Sequence, residues 1–334
     1  MAAEHTVRFT PGDVHARVGV GTERGDVGHR YTAAAVGVAV QRAFRQVDDL
    51  HARSVTCECE RPGVLAPALT ISLAVWPSNR LCTVLSSFYR RWMPADEPTI
   101  LATSGGIGAG LRTRIEFTAL TGFAVELSGV EGRAPRVCFL ATAMGDDKAT
   151  LHYLTEAAQA RGFIPSHIAV FPMPTVADTT AHLLEHDVVW VFGGSVANLL
   201  ALWRLHGLDA ALHTAWQAGV VMTGISAGSI CWHAGGTTDS FGPALAPIVN
   251  GLGFLPFANG VHHDSEAQRR PMLHHLVGNG VLPAAYATDD GAGLLYRGNR
   301  FVEAVAENDS AGAYFVDAGD DGGREAALDV RRLR

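Results

Sequence analysis

Residues 218–232 read AGVVMTGISAGSICW, and this stretch decides the fold. An apolar, β-branched run, Val220–Thr223, leads straight into Gly224-Ile225-Ser226-Ala227-Gly228, and helix-compatible residues follow. A G-x-S-x-G turn between a strand and a helix is sharp enough to hold its serine in a strained conformation with the hydroxyl exposed. The flanking glycines give the backbone room for that turn. The helix start presents amides to a negative charge developing beside it. The pentapeptide alone also fits an ordinary glycine-rich βα turn; the strand before it and the helix after it favour the nucleophile.

The same alternation extends on both sides. Apolar runs at Thr99–Thr103, Val137–Thr142, His167–Pro172, Val188–Phe192 and Val220–Gly224 read as strands. Amphipathic segments at Lys148–Arg161, Val176–His186, Val196–Leu205 and Leu208–Ala218 read as the helices between them, with a later helix at Glu266–Val277. Strands alternating with helices indicate βαβ units and a parallel sheet. Ala284–Val316 reads as a run of strands.

The first 92 residues do not share this pattern. They hold 11 arginines, no lysine and 8 acidic residues, about +3, against −10 for the remainder. Beyond a short helix around Ala33–Val47 they carry no sustained period, and Met93 is the first methionine after Met1. We therefore expect a disordered extension or upstream sequence over 1–92, with a genuine small N-terminal domain as the alternative, and a catalytic domain over 93–334. A net charge of −7 leaves no basic footprint for nucleic acid. The longest apolar stretch, Val64–Trp76, is interrupted by Pro67 and falls short of the ~20 residues of a membrane span. Five cysteines with no CxxC pair make neither a disulfide framework nor a paired-cysteine zinc site. A reduced, cytoplasmic setting, a monomer or homodimer, and neither metal nor cofactor are expected.

A serine nucleophile needs a base. His262 and His263 follow a short apolar strand at Gly251–Pro256 and a loop of small residues, where a histidine could reach Ser226 and take its proton. Asp239, in Gly235-Gly236-Thr237-Thr238-Asp239-Ser240, and Asp290, in Thr288-Asp289-Asp290-Gly291, could each hold the histidine's tautomer, or could each be a turn residue. Gly193-Gly194, closing the strand before the serine's, could turn a backbone amide toward an oxyanion.

From Met93 to about Val316, roughly 220 of 334 residues, the chain resembles the peptidase E family of serine peptidases, which includes aspartyl dipeptidase and cyanophycinase. Four ordered elements carry the likeness: VFGGSVANLLALWR, GISAGSICW with GTTDSFG, GLGFLPFANGVHHDSE, and ATDDGAGLLY. The resemblance implies a flavodoxin-like α/β three-layer sandwich with a mostly parallel sheet, related to class I glutamine amidotransferase domains. It implies Ser226 as nucleophile, His262 as base, Asp290 as triad acid, and oxyanion amides at Ala227 and the Gly193/Gly194 turn. The family's acidic residue after the elbow falls on Asp239. The chain departs from the pattern where Val261 replaces a proline, His263 an aromatic residue, and aspartate a glutamate. The shorter acid leaves the third member open between Asp290 and Asp239.

The implied substrate is a small peptide, a dipeptide with N-terminal aspartate, whose carboxylate asks for a fixed cation. Arg269 and Arg270, just past His262, are the candidates. Three other readings compete. An α/β-hydrolase esterase would share the elbow, but the 36 residues from Ser226 to His262 leave little room for its further βα units. A catalytically inactive binding module would share the fold. A glutamine amidotransferase would need a cysteine at the elbow, and Cys231 and Cys138 read as packing residues.

Overall fold

The computed structural model describes residues 95, 97–319 and 322–334, together with the backbone of five strands among the first 92 residues. The chain divides into two units, Met1–Phe88 and Tyr89–Arg334. In the first, β1 (Glu4–Thr10), β2 (His15–Val20), β3 (Val27–Thr32), β4 (Ser54–Cys59) and β5 (Leu69–Ala74) form a sheet in the order β3-β2-β1-β4-β5. The remainder of the extension expected over 1–92, including the helix at Ala33–Val47, lies outside the described residues.

The second unit opens with β6 (Thr99–Thr103), the hairpin β7 (Ile107–Ala109) and β8 (Ile115–Phe117), and helix α1 (Ala119–Leu127). Alternation follows: β9 (Arg136–Leu140), α2 (Lys148–Ala160), β10 (Ile164–His167), α3 (Thr179–Leu183), β11 (Val188–Val191), α4 (Val196–His206), α5 (Leu208–Gln217) and β12 (Val221–Ile225). Strands β10, β9, β11, β12 and β6 lie side by side and parallel, as the alternation requires. Antiparallel β17 (Ala292–Arg297) and β18 (Arg300–Ala306) extend the sheet beyond β6, and β21 (Val330–Arg332) closes its edge.

Period-2 placement decides what each face buries. Val137, Phe139, Val188, Trp190 and Val221 pack with Phe117 and with Leu154, Ala157 and Ala158 of α2. Elsewhere in the core Trp203 of α4 is fully buried, rests against Trp232, and donates its indole N–H to Thr142 Oγ1 at 3.1 Å.

A second sheet grows from the elbow. After α6 (Ala227–Ile230), β13 (His233–Thr238), β14 (Ala246–Ile248) and β15 (Leu255–Gly260) lead to α7 (Arg269–Gly278) and β16 (Ala285–Thr288). With β19 (Ala313–Gly319) and β20 (Gly322–Ala327) they run β14-β13-β15-β16-β19-β20. Leu273, Leu276 and Val277 of α7 pack on Ala258, Ala285, Ala287 and Val316 of this sheet. Among the described residues no helix is long and apolar enough to cross a membrane.

Three expected elements are displaced. The strand expected at His167–Pro172 lies at Ile164–His167, because the Val170 and Phe171 amides donate to Asp146 Oδ2 at 2.6 and 3.1 Å instead of to a ladder. The helix expected over Val176–His186 shrinks to Thr179–Leu183, capped by the Asp178 side chain. The strand expected at Gly251–Pro256, ahead of His262, falls on Leu255–Gly260. Gly260 closes this strand at a point where a Cβ would stand 2.7 Å from Leu273 Cδ2.

Candidate active site

Ser226 sits between β12 and α6 with φ 58° and ψ −113°, a conformation few non-glycine residues adopt. Its neighbours dictate that turn. A Cβ on Gly228 would stand 2.3 Å from the Val191 carbonyl oxygen, and one on Gly224 2.6 Å from the Val191 and Gly228 oxygens. The ends of β11, β12 and α6 thus approach at a distance only glycine permits. Gly193 lies directly opposite, where a Cβ would come within 3.2 Å of Ser226 Cβ. Gly194 has φ 126°, and its neighbour Ser195 donates its amide to Ala143 O at 2.9 Å. Among the described residues the amides of Gly193, Gly194 and Ala227 donate to no protein acceptor.

His262 follows β15 with φ 54°, and its Nδ1 lies 2.5 Å from Asp290 Oδ1. The imidazole is mostly covered, whereas the Asp290 carboxylate is half exposed. Asp290 sits in a pinned loop: its amide donates to Asp264 Oδ1 at 2.9 Å, and Asn308 Nδ2 donates to its carbonyl at 3.3 Å.

Thr103 and Ser104, at the end of β6, tie these parts together. The Ser226 amide donates to Thr103 O at 3.1 Å, and the Gly291 amide donates to Ser104 O at 2.9 Å. The His262 amide donates to Ser104 Oγ at 3.3 Å, and Ser104 Oγ shares a 2.7 Å hydrogen bond with Thr288 Oγ1. Two adjacent residues therefore fix the backbones that carry serine, histidine and acid. Sequence reading placed Thr103 at a strand end but gave neither residue a role, since their bonds reach more than 100 positions along the chain. Among the described residues no hydrogen bond joins Ser226 Oγ to His262; such bonds commonly tighten only around substrate.

Asp239 is exposed at the end of β13 and makes no side-chain bond to His262 among the described residues. The structure brings Asp290 to the histidine instead. The guanidinium pair differs from expectation. Arg269 is 3% exposed, pairs with Glu266 at 2.8 and 3.3 Å, and donates to Thr237 O at 2.9 Å, so its donors are spent on tying α7 to β13. Arg270 is half exposed, pairs with Glu325 Oε1, and lies over the Tyr314 ring.

Behind His262 lies a charged layer that sequence reading did not see. His263 and His274 both place Nε2 at 2.8 Å from Glu325 Oε2. Burial pushes His263 below its ordinary value, against the pull of Glu325. Burial also pushes the Glu325 carboxyl up, but hydrogen bonds from His274, His263 and Arg270 outweigh it and hold the group below the usual range. Burial raises Asp289, although Gly312 N–H and the Tyr314 hydroxyl stabilise its charge. His263, His274 and Glu325 stand close enough to share a metal ion. Arg270 already supplies a cation to that carboxylate, which disfavours one.

Comparison with known proteins gives the family of the chain. The profile of peptidase family S51 matches residues 110–304, and the chain belongs to that family, the peptidase E family, and so to a class of peptidases. It is 42% identical over 182 residues to the uncharacterized peptidase YgaJ of Bacillus subtilis (strain 168), covering 54% of this chain and 78% of that one. Among solved structures, a peptidase from an acI-B1 Actinobacterium aligns with a TM-score of 0.49 and 13% identity, over 71% of this chain and 95% of the other.

Proposed function

We propose that the protein is a serine-type peptidase in which Ser226 is the nucleophile, His262 the general base and Asp290 the acid that orients it. What carries the reading is the strained turn at Ser226 tied through Thr103-Ser104 to the His262–Asp290 pair. Ser226 Oγ attacks the peptide carbonyl as His262 Nε2 takes its proton, while Asp290 holds the proton on Nδ1. The amides of Ala227 and the Gly193/Gly194 turn receive the oxyanion. His262 then protonates the leaving amine, and water repeats the sequence on the acyl-enzyme.

The substrate class in this reading is a dipeptide with N-terminal aspartate, following the family resemblance. Arg270, the half-exposed guanidinium, is the better placed of the two arginines to exchange its partner for a substrate carboxylate. A reducing, cytoplasmic setting belongs to the same reading and suits the buried free thiols of Cys138 and Cys231.

The test is hydrolysis of Asp-p-nitroanilide, Leu-p-nitroanilide and a short ester by the chain and by Ser226→Ala, Asp290→Asn and Asp239→Asn. Ser226→Ala and Asp290→Asn should each lose roughly 10⁴ in kcat. Asp239→Asn should stay near the parent rate. Arg270→Gln should raise KM for the aspartyl substrate and leave the leucyl one unchanged. A surviving rate in Ser226→Ala removes the mechanism. An inert chain that resists fluorophosphonate labelling would instead fit a binding module.

A further inference from the structure

Three side chains of types that can ligate a metal converge from separate elements, none of them part of the Ser226 turn. Cys138 belongs to β9, His182 to the last turn of α3, and His186 to the loop that enters β11. Cys138 Sγ and one nitrogen of each imidazole lie within 4.8 Å of one another. Ser166 of β10 stands among them, its Oγ 2.6 Å from His186 Nε2 and 3.1 Å from His182 Nε2. Cys138 and His186 are buried, and half-buried His182 forms the open side.

The hydrogen bonds fix where the protons are. His186 Nδ1 is 2.7 Å from the His182 carbonyl oxygen, which can only accept, so Nδ1 carries the proton and Nε2 presents a lone pair. A ring tied through one nitrogen to a backbone carbonyl is how proteins fix the tautomer and direction of a metal-binding histidine. The single Ser166 proton goes to His186 Nε2, so toward His182 its oxygen accepts, and His182 is protonated at Nε2 in the metal-free protein.

We propose that Cys138, His182 and His186 form a zinc site. One thiolate and two imidazoles suit Zn²⁺ and not the oxygen-seeking Mg²⁺ or Ca²⁺. Binding deprotonates the Cys138 thiol, moves the His182 proton from Nε2 to Nδ1, and breaks the hydrogen bonds that Ser166 Oγ makes to the two rings. One proton per Zn²⁺ is released to solvent. Ser166 Oγ or a water completes the tetrahedron. His186 precedes the start of β11, whereas the Gly193/Gly194 turn follows its end, so the metal braces the sheet edge and takes no part in hydrolysis.

The full chain, stripped of metal, is titrated with Co²⁺ and then with Zn²⁺ against a chromophoric chelator, with thermal unfolding alongside. A thiolate-to-cobalt absorption band, its displacement by Zn²⁺, one proton released per Zn²⁺, and a Zn²⁺-dependent rise in Tm are expected. Cys57, Cys59 and Cys82 offer other thiols, so the readout is the difference from Cys138→Ser, which should lose both the band and the rise. His182→Gln, at the half-buried ligand, should lower Zn²⁺ affinity by about tenfold or more, and it serves equally if Cys138→Ser does not fold. Ser166→Ala should keep the Zn²⁺-dependent rise in Tm, whereas a mere hydrogen-bond hub around Ser166 would show none. A band undiminished in Cys138→Ser, unchanged affinity in His182→Gln, or Zn²⁺ binding weaker than on the order of 10 μM overturns the site.

Discussion

Ser226 and His262 both hold positive φ, 58° and 54°, although neither is glycine. Such a residue costs on the order of 1–3 kcal/mol and persists only where its surroundings over-determine it. For Ser226 the surroundings are its amide bond to Thr103 and the glycine-lined ends of β11 and α6. Glycine at this position would release the strain and alanine would keep it, while both remove the proposed nucleophile. Ser226→Gly should therefore be more stable than Ser226→Ala by about 1 kcal/mol in denaturant unfolding, after allowing for glycine's looser unfolded chain. The reverse order would mean that the turn stores no strain. Ser104 acts at one remove, as a positioning residue for the His262 backbone. Ser104→Ala should lower kcat roughly 10- to 100-fold with KM and the pH profile nearly unchanged, and Ser104→Thr, which keeps the hydroxyl, should recover much of the loss.

At the scale of elements, the two glycines flanking the serine and the one facing it do different jobs. Gly228→Ala forces a Cβ against the Val191 backbone at 2.3 Å and should destabilise the protein by about 1–3 kcal/mol in urea unfolding. Gly193→Ala meets Ser226 Cβ at 3.2 Å, so activity should fall well before stability does. The elbow was legible because strand, turn and helix are local, and β12 and α6 fall where their residues ask for them. The helices α2, α4 and α5 were legible for the same reason: the period of their apolar residues is written within each segment. The second sheet was not. Its strands are short, and His233–Thr238 is built from Gly, Ala and Thr while Leu255–Gly260 carries a proline, because close packing rather than propensity selects those residues. Nor could the sequence reveal that Arg269 is spent on Glu266 and Thr237, or that Glu325 gathers two histidines and Arg270, since those partners come from distant positions.

At the scale of the whole molecule, every side chain assigned to the site lies within the unit Tyr89–Arg334. That unit alone should fold and keep kcat/KM within a few-fold of the full chain, and a larger loss would give residues 1–88 a part in catalysis. Within it, His233 joins the two sheets: it opens β13, its Nδ1 donates to Ser229 O at 2.9 Å, and its Nε2 faces the Tyr296 hydroxyl of β17 at 3.4 Å. Complete burial pushes this imidazole down to about 4, against an ordinary value of 6.5. Between those values the unfolded chain binds a proton that the folded chain refuses. The stabilisation is thus fully present above pH 6.5 and is lost progressively as pH falls toward 4, with a limit of roughly 3 kcal/mol. Tm measured across that window should fall with acidification, and His233→Gln, which keeps a polar side chain without the titration, should flatten the fall. Equal slopes in the two proteins would place the acid sensitivity elsewhere, with His263 and Glu325, both held below their ordinary values, the next groups to replace.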